Sequence, residues 1–310
     1  MLNVRQKGSV AILMGTYNGA SYIEKQFSSI KHQEWDNWSL WVSDDGSNDK
    51  TRSILESLFS SVDNRCTLLH GPEKGFCENF KSLIGNKEIV ADYYAFADQD
   101  DIWHPQKLSR AVSYLNSLSD DIPAMYCSRT QLIDEVDRVI GFSPMNKKKP
   151  GFGNALLQNI ASGNTMVFNE SARQLFQTTL ALPLIAHDWA LYLIVSACGG
   201  HVFYDPTPTV LYRQHNANLI GNGMKFTTRL SNFVDAYRGR NRHWNDVNFR
   251  LLELISSHIT QENKFRYHAF KQIKNGNLFH RLKAFKASGV YHQNRLGQMT
   301  NFSYALFNKF

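Results

Sequence analysis

Short apolar runs alternate with amphipathic segments along the first hundred residues of the chain. The apolar runs are β-prone and predict strands, at residues 10–14, 40–42, 66–70 and 93–97. The segments between them place apolar residues at helical spacing and predict helices, over 20–32, from Asp49 or Thr51 onward, and over 76–89. This alternation is typical of a mostly parallel sheet with helices on both faces. We therefore predict an α/β fold in which ligands bind beyond the carboxyl ends of the strands.

After residue 100 the pattern is less regular, and it ends in a helical region. It predicts helices over 105–118 and 187–198 and short strands, at residues 124–127, 165–168, 202–204 and 210–212. From Lys225 onward the pattern is helical, with one apolar face formed by Phe226, Leu230, Phe233 and Tyr237. The Gly-Asn-Gly sequence at 221–223 marks a boundary and divides the chain into segments 1–222 and 223–310.

Composition and charge change this picture in one respect. With 310 residues and 43% hydrophobic residues, the chain has the composition of a folded globular protein. Its net charge of +7 is unevenly distributed, because residues 225–310 contain 15 Lys/Arg and 4 Asp/Glu, a net of +11. The remaining 19 basic and 23 acidic residues give residues 1–224 a net charge of −4. We therefore expect the two parts of the chain to face different partners.

The cysteines and the apolar tracts predict a cytoplasmic protein. Cys66, Cys77, Cys127 and Cys198 are widely spaced, form no C-x-x-C pair and do not cluster with histidines, so we expect reduced thiols. The apolar run at 10–14 is too short for a signal peptide or a membrane span. The longest apolar tract, residues 180–198, is interrupted by a proline and by a His-Asp pair.

Three carboxylates, Asp98, Asp100 and Asp101, follow the predicted strand at 93–97 directly. Carboxylates this close repel one another unless a cation or hydrogen-bond donors neutralise them, and carboxylate oxygens are ligands that Mg²⁺ and Mn²⁺ prefer. The alternative is a solvated acidic turn that caps the next helix. Because the apolar pair Ile102-Trp103 comes next, we favour a position at the edge of a pocket.

A second acidic segment, Ser43-Asp44-Asp45-Gly46-Ser47-Asn48-Asp49, follows the strand predicted at 40–42. A carboxylate at such a strand end can accept a hydrogen bond from a base or a ribose hydroxyl, as in dinucleotide-binding folds. A capping turn is the alternative interpretation. Within the segment we assign Asp45 to the ligand, and we expect Asp44 to support the turn and Asp49 to cap the following helix.

Together these segments resemble the successive motifs of the inverting family 2 glycosyltransferases. The motifs are VAILMGTYNG at 10–19, VSDDGS at 42–47 and FADQDDIW at 96–103. With SGNT at 162–165, HDW at 187–189 and YRQH at 212–215, the resemblance covers roughly residues 8–221. The D-Q-D-D-I-W form and the R-Q-H-x-x-N ending look most like bacterial rhamnosyltransferases that build surface polysaccharides.

The resemblance implies a GT-A fold, a Rossmann-like and mostly parallel sheet, with a divalent metal, Mn²⁺ or Mg²⁺, as cofactor. It implies that the nucleotide is bound by seven residues, Thr16, Tyr17, Asn18, Asp45, Gly75, Asn79 and Asp100. Asp101 would ligate the metal directly, with Asp100 and His215 as further ligands, and Asp98 would brace the loop. A hydrogen-bonded structural histidine is the alternative for His215.

Asp188 is the residue that we assign as the catalytic base. Inversion at a sugar carbon is a single in-line displacement, so one carboxylate must take the proton of the acceptor hydroxyl. A helix-terminal carboxylate stabilised by the helix dipole is the alternative role for Asp188. The resemblance further implies that the sugars are contacted by Trp103, Gly163, Asn164, Trp189 and Arg213.

The C-terminal region mixes cations with aromatic residues in helical segments, at 238–244, 271–274 and 281–286. This composition is typical of interfacial helices that bind anionic lipid headgroups, and it suits an enzyme whose acceptor is a lipid-linked oligosaccharide at the inner face of the cell membrane. A basic helical pair packed on the catalytic domain is the alternative. Nucleic-acid binding would leave the acidic strand ends unexplained, and we expect none.

We therefore predict a metal-dependent inverting glycosyltransferase that uses a dTDP- or UDP-sugar. The preferred donor is dTDP-rhamnose, from which L-rhamnose passes to a growing surface glycan of the O-antigen or capsule type. A UDP-hexose donor, such as UDP-galactose or UDP-glucose, is one alternative. A non-catalytic nucleotide-sugar-binding scaffold is the other, and the presence of Asp188 beside both acidic segments argues against it.

Overall fold

The computed structural model describes residues 8–60, 62, 64–214 and 239–310. Within these residues nine strands form one sheet, and four of them build its first half, β1 (Val10–Thr16), β2 (Trp38–Asp44), β3 (Cys66–His70) and β4 (Tyr93–Asp98). These four strands pair in parallel, in the order β3-β2-β1-β4. The strands predicted from the first four apolar runs are thereby confirmed.

The second half of the sheet is mixed rather than parallel. Its strands are β5 (Ile102–Trp103), β6 (Ala124–Ile133), β7 (Val139–Phe142), β8 (Val167–Asn169) and β9 (His201–Arg213). The order continues from β4 as β8-β6-β9-β5, with β7 beside β6, and β8 runs antiparallel to both of its neighbours. Parallel pairing returns between β6 and β9.

Two predicted strands are one strand in the structure. Residues 202–204 and 210–212 belong to the single strand β9, whose pairing with β6 shifts register between Ser128 and Thr130. Pro206 and Pro208 lie in the part of β9 opposite this shift. Since proline has no backbone N–H for the ladder, it is tolerated at such an irregularity. The strand predicted at 165–168 also begins later, at Val167, after a 3₁₀ turn over Gly163–Thr165.

The helices of the body flank this sheet. They are α1 (Ile23–Lys31), α2 (Thr51–Phe59), α3 (Phe76–Gly85), α4 (Lys107–Leu115), α5 (Phe152–Ala155), α6 (Glu170–Gln177) and α7 (His187–Ala197). The five predicted helices of this part are confirmed, with shorter bounds, whereas α5 and α6 were not predicted. The residue at the cap of α2 is Lys50, and the Asp49 carboxylate accepts from the Thr51 N–H at 2.9 Å. The predicted cap was therefore wrong by one residue.

Two apolar clusters cover the two faces of the sheet. The strand β1 shows the alternation, because Ile12 and Met14 face one cluster while Ala11 and Leu13 face the other. The first cluster includes residues of α1, α2 and α4. The second includes residues of α3, α5, α6 and α7. The carboxyl ends of β1, β2 and β4 thereby meet at one edge between two layers of helices.

Four further helices continue the second cluster, α8 (Arg240–Leu254), α9 (Gln261–Gln272), α10 (Leu278–Ser288) and α11 (Arg295–Leu306). They contribute Leu252, Phe270 and Tyr304 to the same cluster as α7. In the part of the chain that the structure describes, no helix is long and apolar enough to cross a membrane. The predicted boundary at 222 and the apolar face of Phe226, Leu230, Phe233 and Tyr237 lie outside the described residues.

The shared cluster predicts that the C-terminal helices unfold together with the body. Phe270 is buried in α9, with ring centroids 5.8 Å from Phe249 and 5.3 Å from Phe310. Phe270→Ala should lower the free energy of unfolding by about 3–5 kcal/mol, because it leaves a cavity in the cluster. Phe265→Ala, in the same helix but exposed, should change it by less than about 0.5 kcal/mol.

Urea unfolding followed by circular dichroism and by tryptophan fluorescence measures both variants. The two signals should move together to a lower midpoint in Phe270→Ala. Two separate transitions, of which only one shifts, would contradict a shared core.

Candidate active site

The predicted site residues assemble at the carboxyl edge of three neighbouring parallel strands. In the register of these strands, Thr16 pairs with Asp44, and Gly15 pairs with Asp98. The acidic segments after β2 and β4 therefore end on either side of the loop that follows β1. This edge is where open α/β sheets bind their ligands.

The Asp44 carboxylate organises the turn after β2. It accepts hydrogen bonds from the Thr16 hydroxyl at 2.8 Å, from the Ser47 N–H at 3.0 Å and from the Ser47 hydroxyl at 2.6 Å. Arg52 Nη1 lies 3.7 Å from the same carboxylate. Thr16 and Asp44 are both buried, so the Thr16 hydroxyl supports the turn in this structure and is not presented to a nucleoside.

Asp45 connects this turn to the loop before α3. Its two carboxylate oxygens accept from the N–H groups of Glu73 and Gly75, each at 2.7 Å. Gly75 has a φ of 88°, a left-handed conformation that favours glycine, and it forms the N-cap of α3. Each carboxylate oxygen has a second lone pair. Asp45 therefore holds the loop and still keeps acceptor capacity toward a ligand.

Tyr17 presents an exposed ring at this edge, with 56% of its surface accessible. Gln99 fixes the loop that carries it, because the side-chain amide accepts from the Tyr17 N–H and donates to the Tyr17 carbonyl, each at 2.9 Å. The Asn18 side chain accepts from the Asn48 N–H at 3.0 Å, so Asn18 joins the loop after β1 to the turn after β2. Gln99 was not among the predicted site residues, and its place in the motif is the sequence feature that marks it.

Asn79 is buried at the start of α3, and its predicted contact with the nucleotide stays a prediction. Its Nδ2 donates to the Ser43 carbonyl at 2.8 Å and so ties α3 to the end of β2. A Cβ on Gly71 would lie 2.9 Å from Asn79 Oδ1. The side chain thus fills the space under the loop that Asp45 holds, and it supports that loop from below.

The second acidic segment contains a fully buried carboxylate, Asp101. Its oxygens accept from Asn164 Nδ2 at 2.5 Å and from the Arg213 N–H at 3.2 Å. Burial, Asp100 and Asp98 raise the pKa of Asp101 well above its usual value. Burial, Asp100 and Asp188 raise the pKa of Asp98 to about 7.

A buried lysine lies beside these acids. Lys107 Nζ donates to the Asn164 carbonyl at 2.9 Å and lies 3.9 Å from the centroid of the Trp103 ring. Burial lowers the pKa of Lys107 to about 7, although the charges of Asp101 and Asp98 oppose this shift. The lysine supplies part of the countercharge that three neighbouring carboxylates require.

Asp188 lies in the first turn of α7. Its carboxylate accepts from the Gly163 N–H at 3.1 Å and from the Trp189 N–H at 2.6 Å. Burial raises the pKa of Asp188 to about 6, and these backbone hydrogen bonds oppose the rise. The charge of Asp188 contributes to the raised pKa of Asp98, so the two carboxyl groups lie within electrostatic reach of each other.

His187 packs behind this carboxylate. Its ring stacks on Phe80 at a centroid distance of 4.0 Å and meets Phe96 edge-on at 4.7 Å. Neither ring nitrogen has a hydrogen-bond partner among the described residues, and burial lowers the pKa of His187 to about 3. A Cβ on Gly163 would lie 2.9 Å from His187 Nε2, so this close approach requires glycine. The neutral ring thus fixes the backbone that binds Asp188.

The side chains of four predicted sugar contacts are buried in the structure, Trp103, Asn164, Trp189 and Arg213, and their contact with a sugar stays a prediction. Trp103 belongs to an apolar cluster, and Asn164 holds Asp101. Trp189 donates from Nε1 to the Ala155 carbonyl at 2.8 Å. These side chains support the walls of the site in this conformation, whereas the backbone N–H groups of Gly163 and Trp189 contact Asp188 directly.

Arg213 is buried, and its guanidinium group donates hydrogen bonds to two loops. Its Nε donates to the Asp100 carbonyl at 2.8 Å, and its Nη1 donates to the Asp134 carbonyl at 3.0 Å. It also pairs with Asp137 at 2.5 Å and lies 4.7 Å from the centroid of the Tyr22 ring. Arg213 therefore joins the acidic loop after β4 to the loop between β6 and β7.

The residues after β4 fit a divalent cation by the chemistry of their donors. Asp98, Asp100 and Asp101 offer hard carboxylate oxygens. Burial, together with the neighbouring carboxylates, raises the pKa of Asp98 and Asp101, and a bound cation would oppose this rise. Across the described segments, no three acidic, histidine or cysteine side chains already stand in the arrangement of a metal site. The predicted ligand His215 lies outside those segments.

Comparisons with known proteins agree with this geometry. The profile of glycosyl transferase family 2 matches residues 11–176. The dTDP-rhamnosyl transferase RfbG of Shigella flexneri is 31% identical over 228 residues, which cover 70% of this chain and 76% of that protein. The Escherichia coli UDP-Glc:alpha-D-GlcNAc-diphosphoundecaprenol beta-1,3-glucosyltransferase WfgD is 37% identical over 123 residues, 38% of this chain and 44% of that protein.

Two solved structures share the fold at 14% sequence identity. Staphylococcus aureus TarS 1-349, in complex with UDP-GlcNAc, superposes with a TM-score of 0.54 over 97% of this chain and 88% of that chain. The mannosyltransferase PcManGT of Pyrobaculum calidifontis, in complex with GDP-Man and Mn²⁺, gives a TM-score of 0.54 over 99% and 89%. Both cover the C-terminal helices as well as the sheet, so the likeness extends over nearly the whole chain.

The raised pKa values predict that the metal-free protein loses stability as the pH rises. Asp98, with a pKa of about 7, and Asp188, with a pKa of about 6, bind more protons when folded than when unfolded, where the value is near 3.8. The stability that this provides is present below about pH 4 and is lost as the pH rises through 6 to 7. Asp98→Asn should reduce the loss between pH 4.5 and 7.5 by about 1–4 kcal/mol.

Urea unfolding in the presence of a chelator measures this loss at the two pH values. Asp36→Asn is the control, because Arg65 lowers the pKa of the exposed Asp36 and this substitution leaves the loss in place. An Asp98→Asn protein that loses as much stability as the wild type would show that Asp98 ionises in the ordinary range.

Proposed function

Because the chain belongs to glycosyl transferase family 2 and has the GT-A fold, we propose that this glycosyltransferase is metal-dependent and inverting, with dTDP-rhamnose as its donor. The sugar passes to a growing bacterial surface glycan. One observation carries the proposal: Asp188 is held by two backbone N–H groups within electrostatic reach of the acidic segment after β4. The proposed general base thus lies near the carboxylates of the edge that we assign to the donor nucleotide.

The donor nucleotide binds at the edge formed by β1, β2 and β4. The exposed ring of Tyr17 stacks on the base, Asp45 accepts from the nucleoside through its remaining lone pairs, and Asp100 lies toward the ribose and diphosphate. Thr16 and Asn79 shape the floor of this site from beneath. The complexes of TarS with UDP-GlcNAc and of PcManGT with GDP-Man support nucleotide-sugar binding by this fold.

Transfer is a single displacement at the anomeric carbon. Asp188 accepts the proton of the acceptor hydroxyl, the acceptor oxygen bonds to the sugar carbon from one face, and the bond to the diphosphate breaks on the other. With a pKa of about 6, the Asp188 carboxyl is ionised at neutral pH and is more basic than an exposed aspartate. Asp101 and Asp100 would hold a divalent cation, with His215 as a further ligand, and the cation would supply positive charge for the departing diphosphate.

The choice of donor rests on the relatives. RfbG, whose name specifies dTDP-rhamnose, matches 70% of this chain, whereas WfgD, whose name specifies UDP-Glc, matches 38%. A UDP-hexose donor is the second candidate, because the name of WfgD specifies UDP-Glc. A non-catalytic scaffold is the less favoured alternative, because Asp188 lies within electrostatic reach of the acidic segment after β4 and burial raises its pKa to about 6.

The acceptor, in this proposal, is a lipid-linked oligosaccharide at the inner face of the membrane. The name of WfgD includes an acceptor linked to diphosphoundecaprenol. The C-terminal region of this chain exposes large apolar side chains, Phe279 (73%), Leu296 (73%), Met299 (68%) and Phe307 (62%). Since α11 also buries Tyr304 and Ala305 on its inner side, this helix is apolar on two faces. Such a helix favours contact with lipid on its outer face.

The basic residues of the region divide into two groups. Lys271 and Lys274 form ion pairs with Glu253 and Asp246, so they stabilise the packing of α8 against α9. Lys283, Lys286 and Arg295 are exposed and have no ion pair in the described ranges. This second group is available to anionic headgroups beside the apolar face of α11. The segment from residue 223 onward thus serves as a membrane-facing region.

Asp188→Asn tests the catalytic assignment. Removal of the base should reduce transfer by at least about 100-fold, because a positioned base contributes about that much. The affinity for dTDP in the presence of Mn²⁺ should stay unchanged, since Asp188 does not bind the nucleotide. Transfer is measured as the release of dTDP from dTDP-rhamnose, with a membrane fraction as the acceptor. The affinity for dTDP is measured by calorimetric titration.

Asp246→Asn, an exposed substitution in α8, is the matched control and should leave both quantities as in the wild type. Unchanged transfer by Asp188→Asn would remove Asp188 as the base. Transfer from UDP-glucose or UDP-galactose, without transfer from dTDP-rhamnose, would favour the second donor.

Flotation of the full chain with phosphatidylglycerol vesicles tests the membrane role. Met299→Gln with Phe307→Ser should reduce binding by about tenfold or more, because each buried apolar side chain contributes about 1.5–3 kcal/mol. Val90→Ser, which removes a side chain 82% exposed on the body, should leave flotation unchanged. Equal flotation of all three proteins would dismiss the lipid contact of α11.

A further inference from the structure

The 3₁₀ turn Gly163–Thr165 contacts two of the carboxylates to which the proposed function gives a role. The Gly163 N–H donates a hydrogen bond to the Asp188 carboxylate at 3.1 Å. The next residue, Asn164, donates from Nδ2 to the Asp101 carboxylate at 2.5 Å. Two consecutive residues of one turn therefore hold the proposed base and a proposed ligand of the cation.

Further hydrogen bonds fix this turn in place. Within it, the Thr165 hydroxyl donates to the Ser162 carbonyl at 2.7 Å. From α4, Lys107 Nζ donates to the Asn164 carbonyl at 2.9 Å. After Met166 the chain enters β8, which pairs with both β4 and β6. Because the turn is held by these partners, a shift at Gly163 is transmitted to Asn164, and the reverse.

Packing alone does not explain an asparagine at position 164. The side chain is fully buried, and its Oδ1 has no hydrogen-bond donor among the described residues. A buried polar atom without a partner costs about 1–3 kcal/mol. A leucine of similar volume would avoid this cost, but it would leave the Asp101 carboxylate without the donor on its Oδ2 atom. The amide is therefore explained by what it does for Asp101.

The other end of the turn fits against α7 with no space to spare. A Cβ on Gly163 would lie 2.9 Å from His187 Nε2 and 3.4 Å from Asp188 Cβ. The His187 ring is itself packed on Phe80 and Phe96, with centroid distances of 4.0 and 4.7 Å. A methyl group at position 163 therefore has to displace either the turn or the segment that carries Asp188.

We propose that Asn164 is a positioning residue, which through this turn fixes Asp101 relative to Asp188. The inference rests on the proposed function, because it takes from it the role of Asp101 as a metal ligand and of Asp188 as the base. An in-line displacement requires the acceptor hydroxyl and the departing diphosphate on opposite faces of one carbon. The groups that serve them must therefore keep a fixed spacing, and a misplacement of about 1 Å can cost about 100-fold in rate.

Calorimetric titration with Mn²⁺ in the presence of dTDP tests the link from Asn164 to Asp101. Asn164→Ala should bind Mn²⁺ about tenfold more weakly than the wild type, because the loss of a partner that orients a metal ligand has an effect of about that size. Asn164→Leu, which leaves no cavity, should show the same loss. The stoichiometry should stay that of the wild type, since a misfolded fraction lowers the stoichiometry and not the affinity.

Asn169→Ala is the matched control, because Asn169 is also a buried asparagine and ends the strand that follows the turn. It donates to the Ile122 carbonyl at 2.8 Å and accepts from the Ala124 N–H at 3.0 Å, and it contacts neither Asp101 nor Asp188. Its substitution should lower the midpoint of thermal unfolding and leave the Mn²⁺ affinity unchanged. An equal loss of affinity in Asn169→Ala would show that destabilisation alone weakens the metal, and it would overturn the proposal.

Gly163→Ala tests the connection through the turn. This substitution is made beside the base, yet it should weaken Mn²⁺ by at least about threefold, because the displaced turn carries Asn164 with it. In the reverse direction, Asn164→Ala at saturating Mn²⁺ should still lower kcat by about tenfold or more, measured as the release of dTDP from dTDP-rhamnose.

The outcomes separate this inference from the proposed function. Wild-type affinity for Mn²⁺ in Asn164→Ala and Asn164→Leu would overturn the positioning role. A loss in these two variants without any loss in Gly163→Ala would overturn the connection through the turn. Absent binding of Mn²⁺ and dTDP by the wild type would instead overturn the proposed function.

Discussion

The burial of Asp101 is the constraint on which the rest of the site depends. This carboxylate lies out of contact with water and takes its hydrogen bonds from Asn164, 63 residues later, and from the backbone of Arg213, 112 residues later. Because a buried carboxylate is costly unless donors surround it, the three segments have to meet at one point. Lys107 adds a buried positive charge at the same place. The loop after β4 is therefore fixed by partners from the second half of the sheet.

The site is built from elements that are far apart along the chain. The strands β1, β2 and β4 bring the edge that we assign to the nucleotide, and α7 brings Asp188, which accepts a hydrogen bond from the Gly163 N–H. The helices after residue 239 then pack against α7 through the pair of Trp189 and Trp244. The position of Asp188, the proposed base, thus depends on packing that extends into the C-terminal region.

The sequence predicted the strands of the first half and the location of the acidic clusters, because these follow from local periodicity and from a motif. It did not predict which motif residues face a ligand. Thr16, Asn79, Asn164 and Arg213 have polar side chains that suit a ligand equally well, and the structure directs all four into the protein. That choice depends on which distant segment supplies a partner, and no pattern within the motif contains this information. The single strand β9 was missed because its two prolines resemble a break, whereas they coincide with a register shift.

The contact between Gly163 and His187 has a consequence for how such a chain can change over evolutionary time. The two positions lie 24 residues apart, yet the histidine ring occupies the volume that any side chain at 163 would need. A change at one position alone displaces the backbone that binds Asp188, so variation here has to be paired. Descendants of this sequence should therefore show these two positions changing together, and a mutational library that varies them singly would miss every functional combination that contains a larger residue at 163.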